Sequence, residues 1–373
     1  MKVMTVVGTR PEIIRLAPTL KKLDQFTDHV LVHTGQNYDY ELNEVFFEDL
    51  ALRRPDYFLE ADVSSLGATL GSIITRTEEI IRKEQPDAFL VLGDTNSAIS
   101  AVIAKRMKVP VYHMEAGNRA FDQNVPEETN RRMIDHIADY NMVYTEHARR
   151  NLLAEGLHPS RIMLTGSPMK EVLDGNREQI EAANVEWDDY FLVSLHREEN
   201  VDNPERLQSA LAALSALHDK YGIPVLVSTH PRTRKRLQGI DLPEGIVFHP
   251  PFGFNEYVKL QQNARAVLSD SGTISEESSL LDFPAVTLRD AIERPESIDT
   301  GAIITAGVTP EGVLQAVEFA LAQKRPIEVP RDYQIDNTSD RAVAFILSTA
   351  PTHHERSGIR QPPVTANPDA PHD

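Results

Sequence analysis

Cysteine is absent from the 373 residues of this chain, which excludes disulfide bonds and thiolate metal sites. Long apolar runs are also absent, and none approaches the ~20 residues that a membrane-spanning helix needs. The first residues form a strand-like run and show no signal-peptide pattern. We therefore expect a cytoplasmic protein with no membrane partner.

Positive charge is scarce, because 38 lysines and arginines are set against 56 aspartates and glutamates and leave a formal net charge of −18. A chain with this excess of negative charge repels nucleic acid and anionic membranes, so we expect neither as a partner. A small anionic ligand remains compatible with the composition if arginines are concentrated in a cleft.

Short apolar strands alternate with helical patterns, which is typical of an α/β fold with parallel sheets wrapped by helices. The predicted strands are residues 2–7, 30–33, 88–92, 109–112, 140–144, 191–194, 225–228, 246–249, 266–269 and 285–288. The length suits two domains, and the strand series pauses between residues 165 and 187. We therefore predict domains at 1–169 and 170–350, followed by a disordered, proline-rich tail at 351–373.

Polar and glycine residues are concentrated where the predicted strands end. In parallel sheets, ligands bind outside the carboxyl ends of the strands, so these segments are candidate binding loops. They are Gly8-Thr9-Arg10, Gly93-Asp94-Thr95, His113-Met114-Glu115, His196-Arg197-Glu198, His230-Pro231-Arg232 and Asp270-Ser271-Gly272-Thr273.

Two of these segments resemble anion sites at helix N-termini. Arg10 opens one helix with a forked charge that suits phosphate, the alternative being a solvated arginine. The free N–H groups after Ser271, Gly272 and Thr273 can hold a diphosphate, and Glu277 can accept hydrogen bonds from a ribose. A plain capping box is the alternative there. The Rossmann and Walker glycine patterns are absent, so neither NAD binding nor ATP hydrolysis is predicted.

Three carboxylates, Asp94, Glu115 and Glu127, suggest acid–base chemistry above the sheet. The first two follow predicted strands, and Glu127 lies in the first turn of a helix that we expect to begin at Pro126. The alternatives are structural. Asp94 can cap a helix, and the glutamates can pair with neighbouring arginines, namely Arg119, Arg131 or Arg132.

The histidines show no metal-ligand spacing, so no metal site is predicted. His196 follows a strand, where a capped turn is the structural alternative to a functional role. His353 and His354 lie in the predicted tail, and we interpret them as solvated.

Taken together, the motifs resemble the non-hydrolysing UDP-N-acetylglucosamine 2-epimerase family. The matching segments follow the family's order over roughly residues 1 to 345: Gly8-Thr9-Arg10-Pro11-Glu12, Gly93-Asp94-Thr95, Glu115-Ala116-Gly117, Pro126-Glu127-Glu128 with Asn130-Arg131, His196-Arg197 with Glu199-Asn200, Asp270-Ser271-Gly272, Glu276-Glu277, and Arg289-Asp290 with Glu293-Arg294-Pro295-Glu296.

This resemblance implies two Rossmann-like domains that face each other across a cleft, as in GT-B glycosyltransferases, and a homodimer. It also implies a reaction that needs neither NAD nor a metal. The C2 proton leaves, the C1–O bond to UDP breaks, and a 2-acetamidoglycal forms. UDP adds back after C2 is reprotonated on the other face.

The resemblance also implies roles for individual residues. Asp94, Glu115 and Glu127 are the acid–base candidates, and His196 stabilises the leaving diphosphate or moves a proton. The implied UDP-binding residues are Arg10, His230, Tyr257, Ser271, Gly272, Thr273, Glu277 and Arg294. More than one carboxylate is expected because inversion at C2 needs one group on each face.

Some positions depart from the family's commonest pattern. Arg15 stands in place of lysine, Asn118 in place of leucine, and Gln36-Asn37-Tyr38 in place of a run that begins Gln-His. The segment 118–134 is closer to a subgroup that makes UDP-N-acetyl-L-fucosamine from UDP-2-acetamido-2,6-dideoxy-L-talose for surface polysaccharide, including capsule and O antigen. We therefore expect this 6-deoxy sugar as the substrate, with UDP-N-acetylglucosamine as the alternative.

Two other functions fit part of the pattern. A GT-B glycosyltransferase would use the same UDP site but would need an acceptor groove. A non-catalytic sensor of nucleotide sugars would retain the arginines but would not need the three acids and His196. The presence of all four residues favours the epimerase.

Overall fold

The computed structural model describes residues 1–35 and 47–360 and places two parallel sheets in the chain. The first sheet has seven strands in the order β3-β2-β1-β4-β5-β6-β7. Its strands are β1 Lys2–Val7, β2 Asp28–His33, β3 Tyr57–Phe58, β4 Ala88–Leu92, β5 Val111–Met114, β6 Tyr140–Val143 and β7 Ile162–Leu164.

The second sheet has six strands in the order β10-β9-β8-β11-β12-β13. Its strands are β8 Phe191–Ser194, β9 Val225–Ser228, β10 Ile246–His249, β11 Ala266–Ser269, β12 Ala285–Thr287 and β13 Ile303–Thr305. Ten of these thirteen strands overlap a predicted one, and the α/β class with two parallel sheets is confirmed.

Helices cover both faces of each sheet. In the first half they are α1 Arg10–Phe26, α2 Leu66–Glu84, α3 Ala101–Arg106, α4 Pro126–Ile137, α5 Glu146–Ala154, α6 Met169–Gly175 and α7 Arg177–Ala182. In the second half they are α8 Glu198–Val201, α9 Pro204–Tyr221, α10 Pro231–Leu237, α11 Phe254–Asn263, α12 Ile274–Leu281, α13 Pro295–Asp299 and α14 Pro310–Ala322. The chain then forms α15 Thr338–Thr349 and α16 His353–Arg356. No helix in the described part of the chain is long and apolar enough to cross a membrane.

Burial on both faces explains why the central strands are continuously apolar. Every residue of β4 is buried, and separate hydrophobic clusters lie on the two sides of each sheet. In both sheets all strands run parallel, and the order in which they are added reverses beside a central strand, between β1 and β4 and between β8 and β11. Such switch points open a crevice at the carboxyl edge, and four of the six candidate loops leave these four strands, while the other two lie at the ends of β5 and β9.

The predicted end of the second domain is wrong. Helix α15 returns to the first domain, where Ala342, Val343 and Ile346 share a core with Leu16 and Leu20 of α1. The predicted boundary near residue 170 falls between β7 and β8, but the C-terminal segment belongs with the N-terminal sheet. The cause is an apolar face on α15 that no sequence pattern assigned to either sheet.

The prediction of a disordered tail is wrong for its first part, because helical turns continue from Ala350 to Arg356. His353, which we expected to be solvated, is buried, and its Nδ1 atom lies 3.3 Å from the hydroxyl oxygen of Tyr140. Its pKa is lowered, chiefly by burial. Residues 361–373 and the segment Gln36-Asn37-Tyr38 lie outside the described residues.

The two chain crossings between the domains lie side by side. Thr338 donates hydrogen bonds from its hydroxyl to the carbonyl oxygens of Thr165, at 3.2 Å, and Ser167, at 3.1 Å. Between them, Gly166 has a φ of +87°, and a Cβ added there would lie 2.6 Å from Cβ of Ile335. Only glycine fits at position 166 without displacing the chain segment that contains Ile335.

Gly166→Ala should therefore destabilise the fold, because the left-handed backbone alone costs a non-glycine residue roughly 1–2 kcal/mol before the clash is added. Gly71→Ala is the matched control, since a Cβ at this position on α2 meets no heavy atom within 4 Å. The control should gain about 0.5–1 kcal/mol from helix propensity. Thermal and urea unfolding measure both effects. Equal stability of the two variants would contradict the close packing at Gly166.

Candidate active site

A cleft of about 410 Å³ lies between the carboxyl edges of the two sheets. All the predicted site residues line it except Glu115 and Arg294, which lie beneath its wall. The predicted residues that line it are Arg10, Asp94, Glu127, His196, His230, Tyr257, Ser271, Gly272, Thr273 and Glu277. The structure thus brings together residues that are as far apart in sequence as Arg10 and Glu277.

Asp94 stands at the end of β4, after Gly93, and its carboxylate is held by Arg131 of α4. The guanidinium donates two hydrogen bonds to Oδ2, at 2.9 and 2.5 Å. Burial alone would raise the pKa of Asp94, but the charges of Arg131 and Arg197 outweigh burial and lower it. Asp94 is therefore an ionised carboxylate and not the helix cap of the structural alternative.

Glu127 occupies the first turn of α4, which begins at Pro126 as predicted. Its carboxylate lines the cleft and lies 3.1 Å from a guanidinium nitrogen of Arg197, which belongs to the opposite domain. The pairing partner is thus none of the three arginines considered from the sequence. This contact spans the cleft directly.

Glu115 has a left-handed backbone, with a φ of +63°, and lies under the cleft wall. Its carboxylate pairs with Arg15 of α1 and, at 2.7 Å, with Arg294 of the opposite domain. The amide nitrogen of Asn118 lies 3.5 Å from the same carboxylate. The two residues that depart from the common family pattern, Arg15 and Asn118, therefore both contact this one acid.

The segment 118–125, which is part of the stretch 118–134 that is closer to the subgroup, contributes no residue to the lining of the cleft. Phe121 of this segment is 72% exposed, and its ring centroid lies 6.0 Å from the guanidinium carbon of Arg132. The departure from the family pattern at Asn118 affects the site through its contact with Glu115.

His196 follows β8 and is held by Asp270, which follows the neighbouring strand β11. The Nδ1 atom of His196 lies 2.9 Å from Oδ1 of Asp270, and the backbone N–H groups of His196 and Arg197 donate to the same carboxylate. Burial would raise the pKa of Asp270, but His196 and these N–H groups lower it to about 2. The other ring nitrogen of His196, Nε2, remains for a ligand in the cleft.

His230 lies beside His196, with ring centroids 5.9 Å apart. Burial lowers the pKa of His230 to about 4, and the charges of His196, Arg10 and Arg232 add to the effect. Its Nδ1 accepts a hydrogen bond from the backbone N–H of Arg232, at 3.2 Å. His230 is therefore neutral at neutral pH, and its Nε2 nitrogen can donate to an anion.

The N-terminus of α12 faces the same cleft. Ser271, Gly272 and Thr273 precede the helix, and the hydroxyl oxygens of Ser271 and Thr273 lie 3.0 Å apart. No side chain caps this helix, so the capping-box alternative is not what the structure shows. Free backbone N–H groups and two hydroxyls here suit a phosphate or diphosphate.

Glu277 and Tyr257 form the deeper end of this wall. Burial raises the pKa of Glu277, and its carboxylate accepts a hydrogen bond from the amide nitrogen of Gln261 at 2.6 Å. Burial also raises the pKa of Tyr257. Glu277 lies one helix turn from the phosphate-binding end, whereas Tyr257 lies on α11. This carboxylate and this aromatic ring can contact the sugar and base of a nucleotide.

Arg294 lies beneath this wall, buried, and donates to the carbonyl oxygen of Gly272 at 3.0 Å and to Glu115 at 2.7 Å. A third carboxylate, Glu276, lies 3.3 Å away. Arg294 therefore links the anion-binding loop to an acid of the other domain. The expected direct contact of Arg294 with UDP stays a prediction.

Sequence reasoning missed the arginines that pair with the acids. Arg131, Arg197 and Arg15 each contact a candidate acid–base residue, two of them across more than 60 positions of sequence. Arg131 lies within the matched Asn130-Arg131 motif, and Arg197 directly follows His196. Their positions in these motifs were the signal that the sequence offered, and it did not indicate which acids they contact. Within residues 1–35 and 47–360, no group of three His, Asp or Glu side chains could hold a metal ion.

Comparison with known proteins agrees with this site. The family model described as UDP-N-acetylglucosamine 2-epimerase matches residues 20–347. A protein from Methanocaldococcus jannaschii named UDP-N-acetylglucosamine 2-epimerase is 38% identical over 345 residues, which cover 87% of this chain and 93% of that one.

Solved structures agree as well. A UDP-N-acetylglucosamine 2-epimerase from Rickettsia bellii is 45% identical, with a TM-score of 0.91 over 96% of this chain and 100% of that one. The Methanocaldococcus jannaschii enzyme in complex with UDP-GlcNAc and UDP is 36% identical, with a TM-score of 0.88 over 93% of this chain and 100% of that one. The chain belongs to the UDP-N-acetylglucosamine 2-epimerase family, a family of isomerases, and shares its fold with these enzymes.

Proposed function

We propose that this protein inverts C2 of a UDP-N-acetylhexosamine by eliminating UDP and adding it back. One observation supports this most directly. Two carboxylates, Asp94 and Glu127, line one wall of the cleft, and His196 lies with an anion-binding helix N-terminus on the other. An elimination needs a base at C2 and a stabilised leaving group at C1, and the two walls supply these groups.

The UDP moiety would lie along the second domain. Its diphosphate would accept hydrogen bonds from the N–H groups after Ser271, with Arg10 and His230 as further donors. The ribose diol would donate to Glu277, and the uracil would lie near Tyr257. Arg294 would act here by holding the loop at Gly272, to which it is hydrogen-bonded.

In the proposed reaction, one carboxylate takes the C2 proton and the C1–O bond electrons leave with UDP. The product pair is UDP and a neutral 2-acetamidoglycal. A second carboxyl group, in its protonated form, then delivers its proton to the opposite face of C2 while UDP attacks C1, which completes the inversion. Proton exchange with solvent returns both carboxyl groups to their starting states. The protein's own groups suffice for these proton transfers, so the proposal requires neither a redox cofactor nor a metal.

His196 is the proposed stabiliser of the leaving diphosphate. Asp270 fixes one ring nitrogen at 2.9 Å, so the ring is oriented before the substrate arrives. Glu115 is the proposed third acid, and its pairing with Arg15 and Arg294 fixes its position beneath the cleft.

For the sugar, we propose UDP-2-acetamido-2,6-dideoxy-L-talose, with UDP-N-acetyl-L-fucosamine as the product for surface polysaccharide. The support is the pair of departures, Arg15 and Asn118, that contact Glu115. UDP-N-acetylglucosamine is the second candidate, because the similar proteins from Rickettsia bellii and Methanocaldococcus jannaschii are named for it. A homodimer and a cytoplasmic location remain predictions.

Asp94→Asn and Glu127→Gln keep the shape of each side chain but remove its proton-transfer function. Since a general acid or base contributes ~10²–10⁴-fold, kcat should fall by at least about 100-fold in each variant, with UDP affinity retained. Asp219→Asn, an exposed residue of α9 away from the cleft, is the matched control. Wild-type turnover in either amide variant would remove that residue from the mechanism.

Arg10→Ala and Glu277→Ala should each weaken UDP binding, because a hydrogen bond to a charged group contributes roughly 1.5–3 kcal/mol. Only Glu277→Ala should reduce the preference for UDP over pyrophosphate, because its contact is with the ribose. Calorimetry measures both affinities. Arg177→Ala and Glu318→Ala, whose side chains pair with Asp174 and Lys220 on the surface, are the controls. Unchanged UDP affinity in both site variants would place the nucleotide elsewhere.

The choice of sugar is tested by comparing kcat/KM for UDP-N-acetylglucosamine with the values for the L-talo and L-fuco sugars. A pocket built for a 6-deoxy sugar leaves a buried O6 hydroxyl unpaired, which should disfavour the D-gluco sugar by roughly 1–3 kcal/mol. Asn118→Leu, which restores the residue usual in the family, should shift the ratio toward UDP-N-acetylglucosamine. A clear preference of the unaltered protein for the D-gluco sugar would assign it the ordinary substrate.

A further inference from the structure

A buried histidine contacts the loop that presents Asp94. His113 of β5 is fully buried, and its Nε2 atom lies 2.8 Å from the carbonyl oxygen of Gly93. A carbonyl oxygen only accepts hydrogen bonds, so Nε2 holds the proton and donates it. The bond fixes the peptide that connects Gly93 to Asp94.

The second nitrogen of this histidine faces a buried aspartate that holds the loop after Glu115. Nδ1 of His113 lies 2.9 Å from Oδ1 of Asp135, a fully buried residue of α4. The backbone N–H of Gly117 donates to both oxygens of Asp135, at 3.1 and 3.2 Å. His113 and Asp135 together therefore connect the two loops that present Asp94 and Glu115.

The carboxylate of Asp135 has a cationic partner, which allows it to be buried. The guanidinium of Arg119 donates to Asp135 at 2.7 Å and to Glu155 at 2.8 and 2.7 Å. A buried carboxylate without such partners would be costly. Neither His113 nor Asp135 lines the cleft, so a direct contact with substrate is not their role.

The loops that the pair connects have unusual backbones. Gly93, Glu115 and Gly117 have φ values of +67°, +63° and +81°. For Glu115 this conformation is unfavourable, and such residues persist only where their surroundings hold them. The hydrogen bond to Gly93 acts directly before Asp94, and the hydrogen bonds from Gly117 act two residues after Glu115.

We infer that His113 and Asp135 are positioning residues that fix Asp94 and Glu115 relative to each other. The inference rests on the proposed acid–base roles of those two carboxylates. Misplacement of a reacting group by about 1 Å can cost ~10²-fold in rate, so loss of the pair should lower kcat. UDP affinity should stay at the wild-type value, because the nucleotide lies along the other domain.

The chain contains a matched control for a buried histidine–aspartate contact. His29 of β2 is also buried in the first domain, with Nδ1 2.6 Å from Asp24 and Nε2 2.9 Å from the hydroxyl of Thr5. It lies near the amino end of its strand, away from the loops that present the acids. His29→Leu therefore removes a similar contact without touching the site.

The experiment measures kcat, KM and UDP affinity for His113→Leu, His113→Gln, Asp135→Asn and His29→Leu. His113→Leu and Asp135→Asn should lose roughly 10–100-fold in kcat with UDP affinity retained. His113→Gln keeps a donor for the carbonyl of Gly93 and should recover part of the lost kcat. His29→Leu should keep the wild-type kcat.

Three outcomes would overturn the inference. These are a wild-type kcat in His113→Leu or Asp135→Asn, an equal loss of kcat in His29→Leu, and no recovery by His113→Gln. If His113→Leu does not fold, the kcat and UDP affinity of Asp135→Asn decide the question by the same criteria, because this change keeps the side chain's shape.

The proposed acid roles fail separately. Wild-type turnover in both Asp94→Asn and Glu115→Gln would refute those roles, whereas their loss of turnover with a normal His113→Leu enzyme would refute only the positioning role. A further measurement links the two. Because His113 acts through the acids, His113→Leu should lower kcat much less in the Asp94→Asn background than alone. A full additional loss in that background would show that His113 acts elsewhere.

Discussion

The pairing of the cleft carboxylates with arginines is the constraint on which this site depends. A charge partly withdrawn from water is costly unless it is paired, and each of the three acids at the cleft has an arginine partner. Two of the three candidate acids take it from the other domain, Glu127 from Arg197 and Glu115 from Arg294. The ion pairing of these two acids therefore depends on how the domains face each other, because separating the domains would remove Arg197 and Arg294.

The two sheets supply the frame for these pairs. In each sheet, the strands beside the switch point end at the cleft, so β1 and β4 present Arg10 and Asp94, while β8 and β11 present His196 and Asp270. Glu12 ties the first two loops together by accepting hydrogen bonds from Thr9 and Ser97. The site is therefore built from loops that are fixed to each other before any substrate is bound.

Much of this could be predicted from the sequence, because the central strands are buried on both faces and appear as apolar runs. The missed strands β3, β7 and β13 have only two or three residues and too little pattern to be recognised. The residues lining the cleft were found by their motifs at strand ends. Their partners were not, because a pair such as Arg294 with Glu115 depends on how two domains face each other.

The electrostatics of Asp94 bear on the proposed reaction. Arg131 and Arg197 lower the pKa of its carboxyl, so Asp94 is a weaker base than an ordinary aspartate. Such a base cannot remove a weakly acidic C2 proton to give a free carbanion. Proton removal becomes feasible only if the C1–O bond breaks in step with it and the diphosphate takes up the charge. The anion-binding helix end and His196, on the opposite wall, are therefore as necessary to the proposed proton transfer as the acids themselves.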